Sequence, residues 1–352
     1  MDTCFPLRML YRILPAKHHT MKAIIPVAGT GTKLRPHTYT QPKALIPIAG
    51  KPILAFIIDE MIEAGINEYI FIIGYLGDKI KDFVEKKYPN IKAVFVDQPS
   101  REGIGHAIWH ARNAVKENEP VFIALGDSVF DLNMKEIVSA PTSLLCVKKV
   151  DDPRTFGVVE MDEKGGLINR LIEKPQIPKS NLALVGLYKI NESKALFEAL
   201  DYNIKNNIVT RGEIQLTDAL MRMIENGVVF KGYKVNNWFD CGRKETLLET
   251  NSILLKKMGH TLASTLQYEN SIIIDPVSIA ENCKLNNCIV GPNVTIGENT
   301  SIASSILKDS IIGSNSVISD VLLHHSLVGN DATIRGMSQT LNLGDDTEID
   351  MR

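Results

Sequence analysis

Along residues 21–128, short apolar runs alternate with amphipathic stretches. The runs at 23–27, 69–73, 93–96 and 121–125 are rich in β-branched and aromatic residues and apolar at almost every position. Strands buried on both faces read this way. Pro52 opens a stretch in which Ile53, Leu54, Ile57, Ile58, Met61 and Ile62 form one helical stripe, and Gly65 ends it. Residues 102–116 read as another helix. This alternation predicts a parallel sheet with helices on both faces, whose ligands bind beyond the carboxyl ends of the strands. From 143 to 190 the pattern is strand-rich, punctuated by Gly157, Gly165-Gly166 and Pro175. Helices return at 192–200 and 215–225. A strand at 228–235 leads to Trp238-Phe239-Asp240-Cys241-Gly242, and a helix then runs to about 257.

After Gly259 the helical period disappears and a repeat takes over. Ile296-Gly297, Ile312-Gly313 and Val328-Gly329 recur every sixteen residues, with Ile302, Ile318 and Ile334 in step. Ile279 and Leu285 belong to an earlier copy. Within each unit the apolar positions lie six apart. That is the hexapeptide signature of a left-handed parallel β-helix, with room for four to five coils. A sandwich with regular turns is the competing reading. A short solenoid has open ends and flat faces, so self-association is expected.

The length of 352 residues accommodates more than one domain. The pattern divides it into an extension (1–20), an α/β domain (21–258) and a β-helix with a short tail (259–352). The extension carries Arg8, Arg12, Lys17 and two histidines without an uninterrupted apolar run, so it reads as disordered rather than as a targeting peptide. A net charge of -2 argues against a general nucleic-acid binder. No apolar stretch has the length of a membrane span. The five cysteines form no C-x-x-C pair, which fits free thiols in the cytoplasm.

The candidate chemistry begins at the first strand's end, with Ala28-Gly29-Thr30-Gly31-Thr32-Lys33-Leu34-Arg35-Pro36. Backbone without side chains can close N–H groups around phosphate oxygens, and Lys33, Arg35 and Lys43 add positive charge. A nucleoside triphosphate is the expected ligand; a plain glycine turn is the bland alternative. Asp127 and Asp240 each stand at a strand end, where aspartate also serves as an ordinary turn or cap. Together they would suit Mg²⁺, which takes one or two carboxylates plus substrate phosphates. Glu173-Lys174-Pro175 offers a carboxylate for sugar hydroxyls and an ammonium for a sugar phosphate. Gln98 has an amide able to read a base edge, and Gly103 opens the following helix. His18-His19 and His324-His325 read as solvated pairs.

In this order, the A-G-x-G-T-[KR]-x-R-P loop, Pro42-Lys43, Gln98 with Gly103, Gly126-Asp127, Phe156-Gly157, Glu173-Lys174-Pro175, residues 180–188, residues 211–218 and Asp240-Cys241-Gly242 resemble the sugar-1-phosphate nucleotidyltransferases. Within that family, the chain is most similar to the long glucose-1-phosphate thymidylyltransferases, which also carry a C-terminal β-helix. The resemblance implies a Rossmann-like mixed sheet and Mg²⁺-dependent in-line transfer from dTTP to glucose 1-phosphate. Ala28, Gly29, Thr30, Gly31, Thr32 and Lys33 would hold the triphosphate, and Gln98 and Gly103 the base. Lys43, Gly157, Glu173, Lys174 and Tyr188 would hold the sugar phosphate, with Lys33, Lys43 and Lys174 as catalytic cations. Asp127 and Asp240 would bind the metal. Lys33 replaces the arginine usual in the family, and a lysine lacks its bidentate fork. Pro26 and Ala28 resemble the uridylyltransferases, so UTP stays open beside dTTP, as does a mannose-1-phosphate guanylyltransferase. Other classes are a non-catalytic scaffold, as in translation-initiation exchange-factor subunits, and acyl transfer on the β-helix with His324 or His325 as base.

Overall fold

The protein is described by a computed structural model over residues 21–259, 261–262 and 266–336. The extension at 1–20 and the end of the tail lie outside the described residues. A nine-stranded sheet dominates the first domain. Its main path runs Ile168–Glu173, Gly157–Met161, Leu182–Ile190, Val121–Ala124, Lys22–Pro26, Glu68–Ile73, Lys92–Asp97. Leu144–Lys149 pairs with Leu182–Ile190 and with Lys231–Lys234. The four strands read from the first apolar runs pair in parallel. Leu182–Ile190 joins them antiparallel, and the complete sheet is mixed.

That strand couples the two halves. Leu182 and Ala183 pair with Gly157–Met161, whereas Leu187 to Ile190 pair with Val121–Ala124. The partner changes at Gly186, which has a φ of +83° and where a Cβ would lie 2.6 Å from Leu125 Cδ1. Glycine meets both demands at this crossing.

The alternation of side chains explains the continuous apolar runs. Ala23, Ile25, Tyr69, Phe71, Phe122 and Ala124 face one core, and Ile24, Ile70, Ile72, Val121 and Ile123 the other. The first core is closed by the helices Ile53–Glu63, Gly77–Lys87, Met134–Ser139 and Lys244–Met258. The second is closed by Ile104–His110, Ser193–Lys205 and Leu216–Glu225. Ile62, read into the apolar stripe, is 37% exposed. The helix expected over 102–116 is α-helical at Ile104–His110 and tightens to a 3-10 turn at Ala111–Ala114.

The tail is the left-handed parallel β-helix of hexapeptide repeats that its period predicts. Short parallel strands stack in three sheets of five, five and four strands. The register lines up Ile279, Ile296, Ile312 and Val328 in one column and Leu285, Ile302, Ile318 and Ile334 in another. Asn282, Asn299, Asn315 and Asp331 occupy successive corners with φ from 56° to 59°. Asparagine and aspartate tolerate this left-handed backbone. The Asn282 amide donates to Asn299 and the Asn299 amide to Asn315, each at 3.2 Å.

The β-helix packs against the segment that carries Lys43. Ile311 joins the first core, and Leu327 packs on it. Asn251, fully buried on Lys244–Met258, accepts from Ala49 N–H at 2.8 Å and from the Thr295 hydroxyl at 2.7 Å. Its amide donates to Asn293 O at 3.2 Å. Asn330 Nδ2 donates to Gln41 Oε1 at 2.9 Å. One buried side chain therefore joins the 41–49 segment, a helix and the solenoid. Asn251→Leu strands these buried groups and is expected to cost about 1–3 kcal/mol. Urea unfolding followed by circular dichroism checks this; an unchanged midpoint would contradict the bridging role.

Candidate active site

Beyond the carboxyl ends of the parallel strands lies a cavity of about 330 Å³. Ala28, Gly29, Thr30, Lys43, Gln98, Gly103 and Asp127 line it, together with Arg101, Leu125 and Glu213. Gly29 has open space where a side chain would stand. Gly31 answers to the turn: its φ is +62°, and a Cβ would sit 2.8 Å from Thr38 Cγ2. The buried Thr38 donates its hydroxyl to Gly31 O at 2.9 Å and braces the loop. Thr32 and Lys33 form the exposed 3-10 turn that follows, anchored by the buried Leu34.

The two aspartates are brought together by backbone pairing. Ser128–Asp131 and Asn237–Asp240 form a two-stranded antiparallel ladder in which Asp240 pairs with Ser128. The next rung is Cys241 N–H donating to Asp127 O at 3.0 Å. Burial pushes the Asp240 carboxyl above its ordinary pKa, and the charge of Asp127 pushes it further. Lys43 and Lys33 act in the opposite direction. Lys43 Nζ lies 2.6 Å from Asp127 Oδ2. Two carboxylates in mutual repulsion, with a lysine drawn onto one, form an oxygen-only donor set that fits a hard dication.

Three of the residues expected on the sugar phosphate, Gly157, Glu173 and Lys174, lie together. Glu173 and Gly157 are register partners. Glu173 Oε2 accepts from Thr217 Oγ1 at 2.6 Å, and Oε1 lies 3.2 Å from Lys174 Nζ. A Cβ at Gly157 would press on Leu184, Thr217 and Glu173, so the glycine permits this close approach. Lys174 has a φ of +43°, and its carbonyl accepts from Arg211 Nη2 at 3.2 Å. Phe156 meets Trp238 edge-to-face at 5.0 Å, linking this corner to the aspartate ladder. Tyr188, expected on the sugar phosphate, is 5% exposed and packed in the second core. Burial, then the charge of Glu173, pushes its phenol pKa up.

Gln98 is buried and oriented. Its Nε2 donates to Gly103 O at 3.3 Å and faces His106 Nδ1 at 3.4 Å. Gly103 has a φ of +110°, and a Cβ would lie 2.5 Å from Ile214 O. Glu102 O and Ile214 O in turn accept from Ile214 N and Gly105 N, at 2.7 and 2.9 Å, closing the 102–105 turn onto residue 214.

The site and fold define a nucleotide-handling α/β enzyme architecture, and the chain belongs to the nucleotidyl transferase family, whose model matches residues 22–257. A GlmU-like C-terminal hexapeptide model matches residues 248–309. The chain is 39% identical to the bifunctional protein GlmU of Methanocaldococcus jannaschii over 74% of its own length. It spans 60% of that relative. It is 32% identical to the glucose-1-phosphate thymidylyltransferase of Streptomyces griseus, covering 83% of this chain and 87% of that one. The low-salt glycan biosynthesis nucleotidyltransferase Agl11 of Haloferax volcanii is 30% identical with the same coverage. A crystal structure of UDP-glucose pyrophosphorylase complexed with UDP-glucose superposes with a TM-score of 0.59 at 27% identity, covering 67% of this chain and 99% of that one.

Sequence reasoning did not assign Arg101, His106, Arg211, Glu213 or Thr217 a role. The 211–218 motif was visible as a resemblance, but its closeness to Glu173 and Gly103 exists only in three dimensions. Among the described residues, no helix is long and apolar enough to cross a membrane. Cys146, Cys241, Cys283 and Cys288 are buried free thiols.

The elevated Asp240 pKa has a measurable consequence. The folded state holds this proton more tightly than the unfolded chain, so the ionised carboxylate opposes folding as pH rises through the raised value. Asp240→Asn is expected to melt above the parent at neutral pH, with the gap narrowing as pH falls through about 4. A variant that melts below the parent at neutral pH would count against the repulsion.

Proposed function

We propose that the protein transfers a thymidylyl group from dTTP to glucose 1-phosphate, giving dTDP-glucose and pyrophosphate. A phosphate oxygen of the sugar phosphate forms a bond to the α-phosphorus, the bond from α-phosphorus to the bridging oxygen breaks, and pyrophosphate departs. No protein nucleophile is required; positioning and charge neutralisation provide the catalysis. The observation that carries this reading is the convergence of Asp127, Asp240 and Lys43 beside the glycine loop.

Each residue has a task. The backbone of 28–32 receives the triphosphate, and Lys33 follows it on the exposed turn. Lys43 exchanges Asp127 for phosphate oxygen. Lys174 holds the sugar phosphate, while Glu173, fixed by Thr217, accepts sugar hydroxyls. Mg²⁺ between Asp127 and Asp240 would neutralise triphosphate oxygens as charge builds on the leaving group. Gln98 Oε1 suits the N3–H of thymine or uracil. Cytosine N3 and adenine N1 carry no hydrogen and would meet a lone pair there.

Thymidylyl transfer is favoured by glucose-1-phosphate thymidylyltransferase relatives that cover most of this chain and of themselves. Uridylyl transfer is the second reading, favoured by the likeness to UDP-glucose pyrophosphorylase. Self-association of the β-helix is part of the proposal: Ile272, Ile306 and Leu322, in register on one sheet, are 59%, 43% and 71% exposed.

Pyrophosphate release across dTTP, UTP, CTP, GTP and ATP with several sugar 1-phosphates tests this directly. dTTP with glucose 1-phosphate should rank first, with CTP and ATP at least about a hundredfold lower in kcat/KM. A chain that releases none acts as a scaffold. Asp127→Asn should lower kcat by about a hundredfold or more with the fold intact; near-parent turnover in Mg²⁺ would reject the metal role. Lys174→Ala should raise KM for sugar phosphate about tenfold while leaving KM for nucleotide within about twofold; equal effects would reject its assignment.

A further inference from the structure

The β-helix contains a second group of potential ligands, outside the catalytic crevice. We propose that Asp309, His324 and His325 form a site for a transition-metal dication of the zinc class, which ties two neighbouring coils together.

The solenoid's geometry creates the cluster. Asp309 follows the strand Ile306–Lys308, and His325 occupies the equivalent corner after Leu322–His324 one coil later. Both corners have a φ of 48°. Asp309 Oδ1 accepts from Asn293 Nδ2 at 2.7 Å, and Oδ2 lies 3.3 Å from His324 Nε2. His324 Nε2 is 2.9 Å from His325 Nδ1. All three ligand atoms lie within 4.8 Å of one another.

These separations suit a small dication. Metal–ligand bonds near 2.0–2.1 Å at tetrahedral angles place ligand atoms about 3.4 Å apart. The aspartate–histidine distance already matches. The histidine pair must open by about half an ångström, and both side chains are exposed. Two imidazole nitrogens this close share a single hydrogen; a dication uses both lone pairs instead. Nitrogen donors favour zinc, copper or nickel over magnesium and calcium, unlike the oxygen-only Asp127–Asp240 pair. Asn293 acts on the carboxylate from behind, holding the oxygen that does not ligate. Lys308 Nζ, 3.9 Å from Asp309 Oδ2, is the competing cation and is half exposed.

The test uses the full chain stripped with chelator and titrated calorimetrically with Zn²⁺, beside a His324→Asn/His325→Asn double variant. The parent should bind one more equivalent than the double variant, and excess Mg²⁺ should leave that equivalent in place. Zn²⁺ should raise the parent's melting temperature and leave that of the variant unchanged. Asp309→Asn, which leaves both imidazoles, should weaken the same equivalent about tenfold or more. Equal stoichiometry in parent and double variant, or full Mg²⁺ competition, would overturn the assignment. Catalytic turnover is not a readout here, so the outcome is independent of the proposed transferase reaction.

Discussion

Two like charges forced together are the constraint on which the crevice depends. Asp127 and Asp240 come from distant parts of the chain, and an isolated pair of carboxylates would separate. The antiparallel ladder between Ser128–Asp131 and Asn237–Asp240 prevents this, because its backbone hydrogen bonds fix the strand ends whatever the side chains carry. The strain appears in the raised proton affinity of Asp240 and in the recruitment of Lys43. A cation is already partly provided by the protein, since Lys43 Nζ lies against Asp127.

The second domain is coupled to this arrangement from behind. The Asn251 side chain has its carbonyl and amide engaged at once by the 41–49 segment and by two positions of the β-helix. A buried amide of this kind specifies one docking geometry, since any slip leaves polar groups unpaired in the core. The β-helix therefore braces the 41–49 segment through Gln41 and Ala49, although it contributes no side chain to the cavity described.

The sequence shows the parts of this design that depend on local backbone. Apolar runs locate the parallel strands, glycines mark the loop at the cavity, and the sixteen-residue step reveals the solenoid. Asp127 and Asp240 could be assigned to one crevice because both end strands. What stayed hidden depends on tertiary crossings. Nothing in Leu182–Ile190 announces that it changes partners at Gly186, or that this leaves Tyr188 packed between sheet and helices. Asn251 and Thr217 look like ordinary helical residues until their distant partners are known.

Glycines at the site distinguish two ways of making room. Gly29 leaves space beside the cavity, so it serves whatever enters. Gly103 and Gly157 leave space for the protein itself: the first admits the backbone at residue 214, the second admits Glu173 and Thr217. Beside these close approaches, Gln98 donates to Gly103 O and Glu173 accepts from Thr217, so both side chains are held without a ligand. Preorganisation of this kind reduces the ordering cost when a ligand binds.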